Sequence, residues 1–445
     1  MHSYDWSLLE AHPASAIEPM SDELAELVES SPYSRELIDR ARATRIDHNM
    51  IVAWCETGFP PPEHLEPFIE QREWLLTNTL TARVATWADD QLLIDLCANS
   101  PETVGNWSVT VERSPNPYAQ YRLQERANVL VLEDRMVGLG MSAGSVRNTI
   151  IGGERTSAIF MSGWRIRDGF RGIGLSNILR SSAGLGTGWF GLVNYWLARP
   201  RNASAGWLDK VSTEMSDRDD DWAVDTDSMT ATIWDFAADE HAADDLDARF
   251  TIRPTEPADL DRCVEVINRT HAGLDLFRPY HRAYLEERLE DPNWGPKPVF
   301  IPEVYGWADH RVVEMNGEIV ACGGLWDRGR DIREVWRRGS PDGEAESESE
   351  EVTVDPAALM DFGFADGEVG LAAMTALSRN FLAESASLGR SGMLASLEFL
   401  PDLRDALSDL TSRPETRELT VMPFTSPDLK IELTITKPYT DLAYW

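Results

Sequence analysis

The stretch from Ala158 to Ser181 constrains the fold more than any other part of the chain. Ile159, Phe160 and Met161 lead through Gly163 and Trp164 to Ile166, an apolar run that suits a strand. The turn that follows reads Arg167-Asp168-Gly169-Phe170-Arg171-Gly172-Ile173-Gly174-Leu175-Ser176. Leu175, Ile178 and Leu179 then share one face of a helix. A glycine-rich bend at a helix start leaves backbone N–H groups unpaired at the positive end of the helix dipole. Missing Cβ atoms let a phosphate approach the backbone, and Arg171 adds charge. The stretch is therefore a candidate pyrophosphate cradle. It is not a P-loop, because no Gly-Lys-Ser/Thr follows, and its glycine spacing is not that of the dinucleotide fingerprint.

At 445 residues the chain is long enough for two or three cores. A net charge of −34 makes nucleic acid and anionic membrane poor partners and mildly favours a cationic amine. No apolar run approaches the roughly 20 residues of a membrane span, and no signal peptide is visible at the N-terminus. Cys55, Cys97, Cys263 and Cys322 are spread out, without zinc spacing. They read as buried thiols of a reducing cytoplasm, and no metal is expected.

Residues 1–77 carry helical periods: Leu24, Leu27 and Val28, then Leu37, Ile38 and Ala41. Gly58-Phe59-Pro60-Pro61-Pro62 interrupts them. Ala82 to Thr86 reads as a strand and Asp89 as a helix start, with Leu92, Leu93, Leu96 and Cys97 on one face. Val129 to Leu132 and Met136 to Leu139 flank a polar turn, as in a hairpin. Phe190 to Leu197 and Thr230 to Phe236 are further strands, and the Ala/Asp-rich stretch to Asp247 reads as a linker.

The order then repeats. Arg253 precedes Ala258-Asp259 as Arg83 precedes Ala88-Asp89. Val312 to Val320 forms a hairpin around Asn316-Gly317, matching the earlier one. The copies lie roughly 170 to 180 residues apart. Leu359 to Phe364 leads into Gly367-Glu368-Val369-Gly370-Leu371-Ala372, in the place of the first bend. Glycine replaces the arginine there, and Asp366 and Glu368 bring carboxylates. Such a charge beside a phosphate is repulsive by about 1–4 kcal/mol. Leu419 to Met422 and Ile431 to Thr436 read as closing strands, and Pro341 to Glu351 as a solvated acidic loop.

Arg171, Gly174 and Ser176, with Phe170 before them, resemble the acyl-CoA loop of the GNAT acetyltransferases, Gln/Arg-x-x-Gly-x-Gly/Ala. Ser176 stands where the family has Gly or Ala. Asn202 and Ala205 resemble the family's Asn and Ala after the fifth strand, and the tandem is similar to mycothiol-synthase-like proteins. The resemblance implies an α/β (α+β) chain of two GNAT-like mixed-sheet domains behind an N-terminal helical extension. The divisions are 1–77 for the extension, 78–236 for an acyl-CoA-binding domain, 237–249 for a linker and 250–445 for a degenerate copy that packs against the first. It implies a pantetheine arm between splayed fourth and fifth strands, paired with the backbone of Trp164 to Ile166. Arg171, Gly172, Ile173, Gly174, Leu175, Ser176 and Asn177 would hold the pyrophosphate, and Asn202 would meet the pantetheine arm or thiol. The implied cosubstrate is acetyl-CoA, and the implied reaction is attack of a small-molecule or peptide amine on the thioester. The alternative is a non-catalytic acyl-CoA-binding sensor or scaffold.

No acid or base is fixed by this pattern. Where the family often has a tyrosine as acid stands Asp209. Glu125, Glu133 and Glu154 are candidate bases by order, and Tyr118 and Tyr121 line either an acceptor pocket or the core. A rival lies in Gly140-Met141-Ser142-Ala143-Gly144, which fits the Gly-x-Ser-x-Gly elbow of serine hydrolases. The residues after it lack a helical apolar face, and no oxyanion segment precedes it.

Overall fold

The computed structural model describes residues 20–43, 80–125, 127–134, 137–171, 193–198, 227–244, 246–290, 304–338, 350–423 and 437–444, with positions 51, 52, 55, 62, 65, 66, 69, 175, 179 and 435. Helices α1 (Asp22–Ser30) and α2 (Arg35–Ala43) open the chain. The Ser21 side chain caps α1 by accepting from the Leu24 N–H. Leu24, Val28, Ile38 and Ala41 close a small core with Ile51, Cys55, Leu65 and Ile69. The helical extension thus buries its own apolar stripe.

The first half runs β1 (Leu80–Val84), α3 (Asp90–Ala98), β2 (Glu102–Val104), β3 (Trp107–Arg113), α4 (Ala119–Leu123), β4 (Ala127–Asp134), β5 (Val137–Ile151), β6 (Glu154–Ile166), β7 (Val193–Ala198) and β8 (Asp227–Ala237). The second half runs β9 (Thr251–Pro254), α5 (Leu260–Thr270), α6 (Arg282–Glu290), β10 (His310–Met315), β11 (Glu318–Trp326), β12 (Ile332–Arg338), β13 (Glu351–Val354), β14 (Ala357–Phe364), α7 (Glu368–Ser387), β15 (Gly392–Ala395), α8 (Pro401–Ala406) and β16 (Ser412–Pro423). Local chemistry explains many of these. Leu260, Cys263, Val266 and Ile267 put one buried stripe on α5. Asn316 and Gly317 both take positive φ, 54° and 82°, which closes the β10–β11 hairpin tightly.

Among the described residues, one sheet of twelve strands, in the order β1-β4-β5-β6-β7-β16-β8-β15-β14-β11-β10-β9, joins the halves. Each half contributes a matching five-strand block, but the closing strands are exchanged. The first half's β8 pairs with β15, as in Phe236↔Met393. The second half's β16 pairs with β7, as in Leu419↔Leu197. β8 and β16 pair with each other from Phe236↔Ser412 to Asp227↔Val421, at the centre of the sheet. A second sheet, β13-β12-β3-β2, joins the halves again through Arg113↔Ile332 to Trp107↔Arg338. The largest core follows the same path: Ala119, Leu123, Ala158 and Phe160 pack in one cluster with Leu260, Tyr284, Tyr305 and Leu394.

The repeat is visible atom by atom. Arg83 reaches Asp89 at 2.6 and 2.7 Å and Glu133 at 3.0 and 3.2 Å. Arg253 reaches Asp259 at 2.6 and 3.0 Å and Glu314 at 2.5 and 3.0 Å. Each aspartate also accepts a backbone N–H at the helix start, from Thr86 at 2.6 Å and from Glu256 at 2.8 Å. Hydrogen bonding to the arginine holds both aspartates below the usual carboxylate range, against burial.

Candidate functional site

The first half's candidate site lies where the pairing of β6 with β7 ends. They run parallel and pair from Ala158↔Val193 to Met161↔Trp196. β6 continues to Ile166 beyond that last rung. Just past it β6 bulges: Ser162 pairs with Ala143, but the next rung is Arg165 with Met141. Gly163 sits in the bulge with φ 64°. A Cβ there would collide with the Tyr121 hydroxyl.

The bend beyond β6 is tied down at its base. The Arg167 N–H donates to Leu139 O at 2.9 Å, and its Nε donates to Gly138 O at 2.7 Å. The Asp168 N–H donates to Asn99 O at 2.9 Å. Leu175 and Leu179 are buried against Leu132 and Leu139, with Trp164, Ile166 and Phe170 packed on the same cluster. A Cβ at Gly140 would lie 2.8 Å from Ile166 Cδ1 and 2.9 Å from Leu179 Cδ1. Gly140 therefore leaves room for the Ile166 and Leu179 side chains against β5.

Of the sequence-derived cofactor residues, Trp164 and Ile166 lie half-buried at the end of β6. Leu175 is buried beneath the sheet. Arg171 is exposed on the bend; its Nη2 donates to Pro101 O and its Nε to Ile166 O at 3.4 Å. Gly172, Ile173, Gly174, Ser176, Asn177 and Asn202, with Asp209, lie outside the described residues.

Two of the three candidate bases are held in ion pairs. Glu125 is buried and paired with Arg278. Glu133 belongs to the Arg83 cluster. Glu154 opens β6, about 30 Å of strand before Gly163. Tyr118 is a core residue whose hydroxyl donates to Thr86 O at 2.7 Å. The hydrolase elbow is also corrected. Gly140 to Gly144 lies inside β5, between β4 and β6, with Ser142 buried. An elbow needs a sharp strand-to-helix turn that exposes the serine.

The second half repeats the geometry with different chemistry. β14 and β15 pair in parallel at Ala357↔Met393 and Ala358↔Leu394. β14 then bulges between Met360 and Gly363, and Asp361 takes φ 48° there. Asp361 thus stands where Gly163 stands in the first half. Its carboxylate accepts from Arg288 Nε at 2.7 Å and from the Tyr280 hydroxyl at 2.6 Å. Burial pulls the Arg288 pKa down, but Asp361, the nearby tyrosines and Asp441 outweigh it, so the guanidinium stays charged. At the second bend α7 starts on Gly367, φ 88°. A cavity of about 370 Å³ beside it is lined by Phe250, Leu371 and Thr375, with Asp247, Glu368 and Arg379. Sequence reasoning identified neither bulge nor the Arg288 network, because each joins residues far apart in the chain.

Two mixed-sheet blocks, each with a strand that bulges just past the end of its parallel pairing, define a tandem GNAT-like fold. Solved structures of similar fold include N-myristoyltransferase of Saccharomyces cerevisiae with bound myristoyl-CoA. One such structure is 8% identical over 82% of this chain and 83% of that one, at a TM-score of 0.51. Another, with myristoyl-CoA and inhibitors, is 9% identical over the same shares, at 0.52. A fainter likeness is to a GCN5-related N-acetyltransferase from Sphaerobacter thermophilus: 12% identity, 80% of this chain, 98% of that one, TM-score 0.41. At such identities the likeness is one of fold. No family model and no curated protein sequence matches the chain.

Proposed function

We propose that the protein is an acyl-CoA-dependent N-acyltransferase whose first half holds the acyl-CoA, with acetyl-CoA the first thioester to test. The observation that carries this reading is that β6–β7 pairing ends at Met161↔Trp196, just before the Gly163 bulge and the Arg171 bend. Myristoyl-CoA in the yeast structures of like fold supports a CoA thioester as substrate. Pantetheine would lie along Trp164 to Ile166. Arg171 and the glycine bend from Gly172 to Asn177 would grip the diphosphate, with Asn202 across the gap.

The amine nitrogen attacks the thioester carbon and forms the C–N bond. The carbonyl oxygen gains the electron pair, then returns it as the C–S bond breaks. The thiolate leaves and takes up a proton equivalent to the one the amine loses. Protein donors near the bulge would stabilise the oxyanion between these events. We place the second half outside CoA binding, because Asp361 fills its bulge and Gly367 stands where the first bend has Arg171. The acceptor is a small-molecule or peptide amine, and the four buried thiols suit a reducing cytoplasm.

Titration calorimetry with acetyl-CoA and a long-chain acyl-CoA tests the reading. Wild type is expected to bind at least one, and Arg171→Glu at least tenfold more weakly. Absence of binding by wild type overturns the proposal. Binding without turnover across an amine panel would point to a sensor.

A further inference from the structure

Tyr121 lies on α4 with its ring in the core and only 2% of its surface exposed. Among the described residues its hydroxyl has no hydrogen-bond partner. Leaving a buried hydroxyl unpaired costs about 1–3 kcal/mol. That hydroxyl rests against Gly163, the residue at which β6 bulges just past its last rung with β7.

The second half shows what such a position does when the protein satisfies it. The Asp361 carboxylate there receives the Tyr280 hydroxyl. The first half has the same bulge past the end of its parallel pairing and a tyrosine, but glycine in place of the aspartate. The tyrosine's partner is thus not a side chain of the bulge.

The surroundings fix what kind of partner fits. Burial raises the Tyr121 pKa more than Arg113 and Arg165 lower it, so the phenol keeps its proton and donates. The Arg113 guanidinium lies 4.8 Å from the ring centroid, which favours an oxygen carrying negative charge nearby. The donor is also held from outside. Arg288 Nη1 donates to Leu123 O at 2.8 Å, Gln124 Nε2 donates to Ala443 O at 2.8 Å, and Glu125 pairs with Arg278. Three consecutive residues at the end of α4 are therefore fastened to the second half. A donor held this way needs little reorganisation when charge develops beside it.

We infer that Tyr121 is a catalytic residue whose hydroxyl donates a hydrogen bond to the acyl carbonyl oxygen at the Gly163 bulge, with α4 fixed for that purpose by the second half. The inference rests on the acyltransferase reading and adds a specific donor to it. The phenol keeps its proton throughout, so the overall proton balance of the transfer is unchanged.

Two non-reacting analogues separate the two ideas. One is the ketone in which a methylene replaces the thioester sulfur of acetyl-CoA; the other is the thioether S-ethyl-CoA, which lacks the carbonyl. Tyr121→Phe is expected to bind the ketone about tenfold more weakly than wild type and the thioether within twofold. Its kcat is expected to fall about a hundredfold, with KM moving far less. An unchanged ketone-to-thioether affinity ratio in the variant would overturn the inference and leave the acyltransferase reading standing. Wild type binding neither analogue would overturn both. Should the phenylalanine variant not fold, 3-fluorotyrosine at position 121 supplies a stronger donor. It is then expected to tighten the ketone but not the thioether, and no selective tightening overturns the inference.

Discussion

Single residues set the difference between the two bulges and much of the chain's response to acid. Gly163 and Asp361 occupy matching bulges, and one side chain decides whether the interior is closed by an ion pair. His271 shows the same sensitivity in another form. It is buried among Phe277, Phe362 and Tyr439, and its Nε2 meets Phe362 O at 3.0 Å. Burial holds its pKa down at about 4, against an ordinary 6.5. The native state therefore resists the proton that the unfolded chain accepts. The stabilisation is complete above pH 6.5 and is lost as the pH falls towards 4, by about 3 kcal/mol. Buried His310 is shifted the same way. Denaturant titrations across this window are expected to show the fall, and His271→Phe to flatten it by that amount. An equal slope in wild type and variant would rule out His271 as its source.

At the scale of elements, local pattern was legible and partnership was not. The Arg83–Asp89 and Arg253–Asp259 spacings announced a repeat, because each pair closes within one strand-to-helix corner. The third members, Glu133 and Glu314, arrive from hairpins 50 and 61 residues further on, beyond any local period. The hairpins and the run before Ile166 were legible for the same reason. The sheet of β2, β3, β12 and β13 was not, since half-buried strands with charged outer faces give a weak alternation and no hint of their partner. The Arg171 bend was readable as chemistry, whereas the Tyr121–Gly163 contact spans an α-helix and a bulge. The corner clusters make a matched test. Arg253→Met leaves the mostly buried Asp259 without its cation and is expected to cost about 1–2 kcal/mol. Arg83→Met is expected to cost a similar amount. Lysine at either position should recover less than half, because it cannot bridge two carboxylates as a guanidinium does. Shifts in urea midpoint at constant slope measure all four; a full rescue by lysine would contradict the bridging geometry.

For the whole molecule, the exchange of β8 and β16 removes the option of two independent halves. Each half's block is completed by the other's closing strand, and the central core has no dividing surface. Arg288 concentrates this dependence. Its side chain is fully buried, its Nε bonds Asp361 in the second half, and its Nη1 bonds Leu123 O in the first. Removing it leaves the Asp361 charge buried with only the tyrosines for company, a loss of about 3–5 kcal/mol. If the halves fold as one unit, that loss is carried by the entire chain. Calorimetry of wild type should then show a transition spanning both halves, and Arg288→Met should move all of it downward. Arg288→Met combined with Asp361→Asn should recover part of the loss, since no unpaired charge remains. A lone shift of one transition, with a second left in place, would mean that the strands cross without coupling the folds they complete.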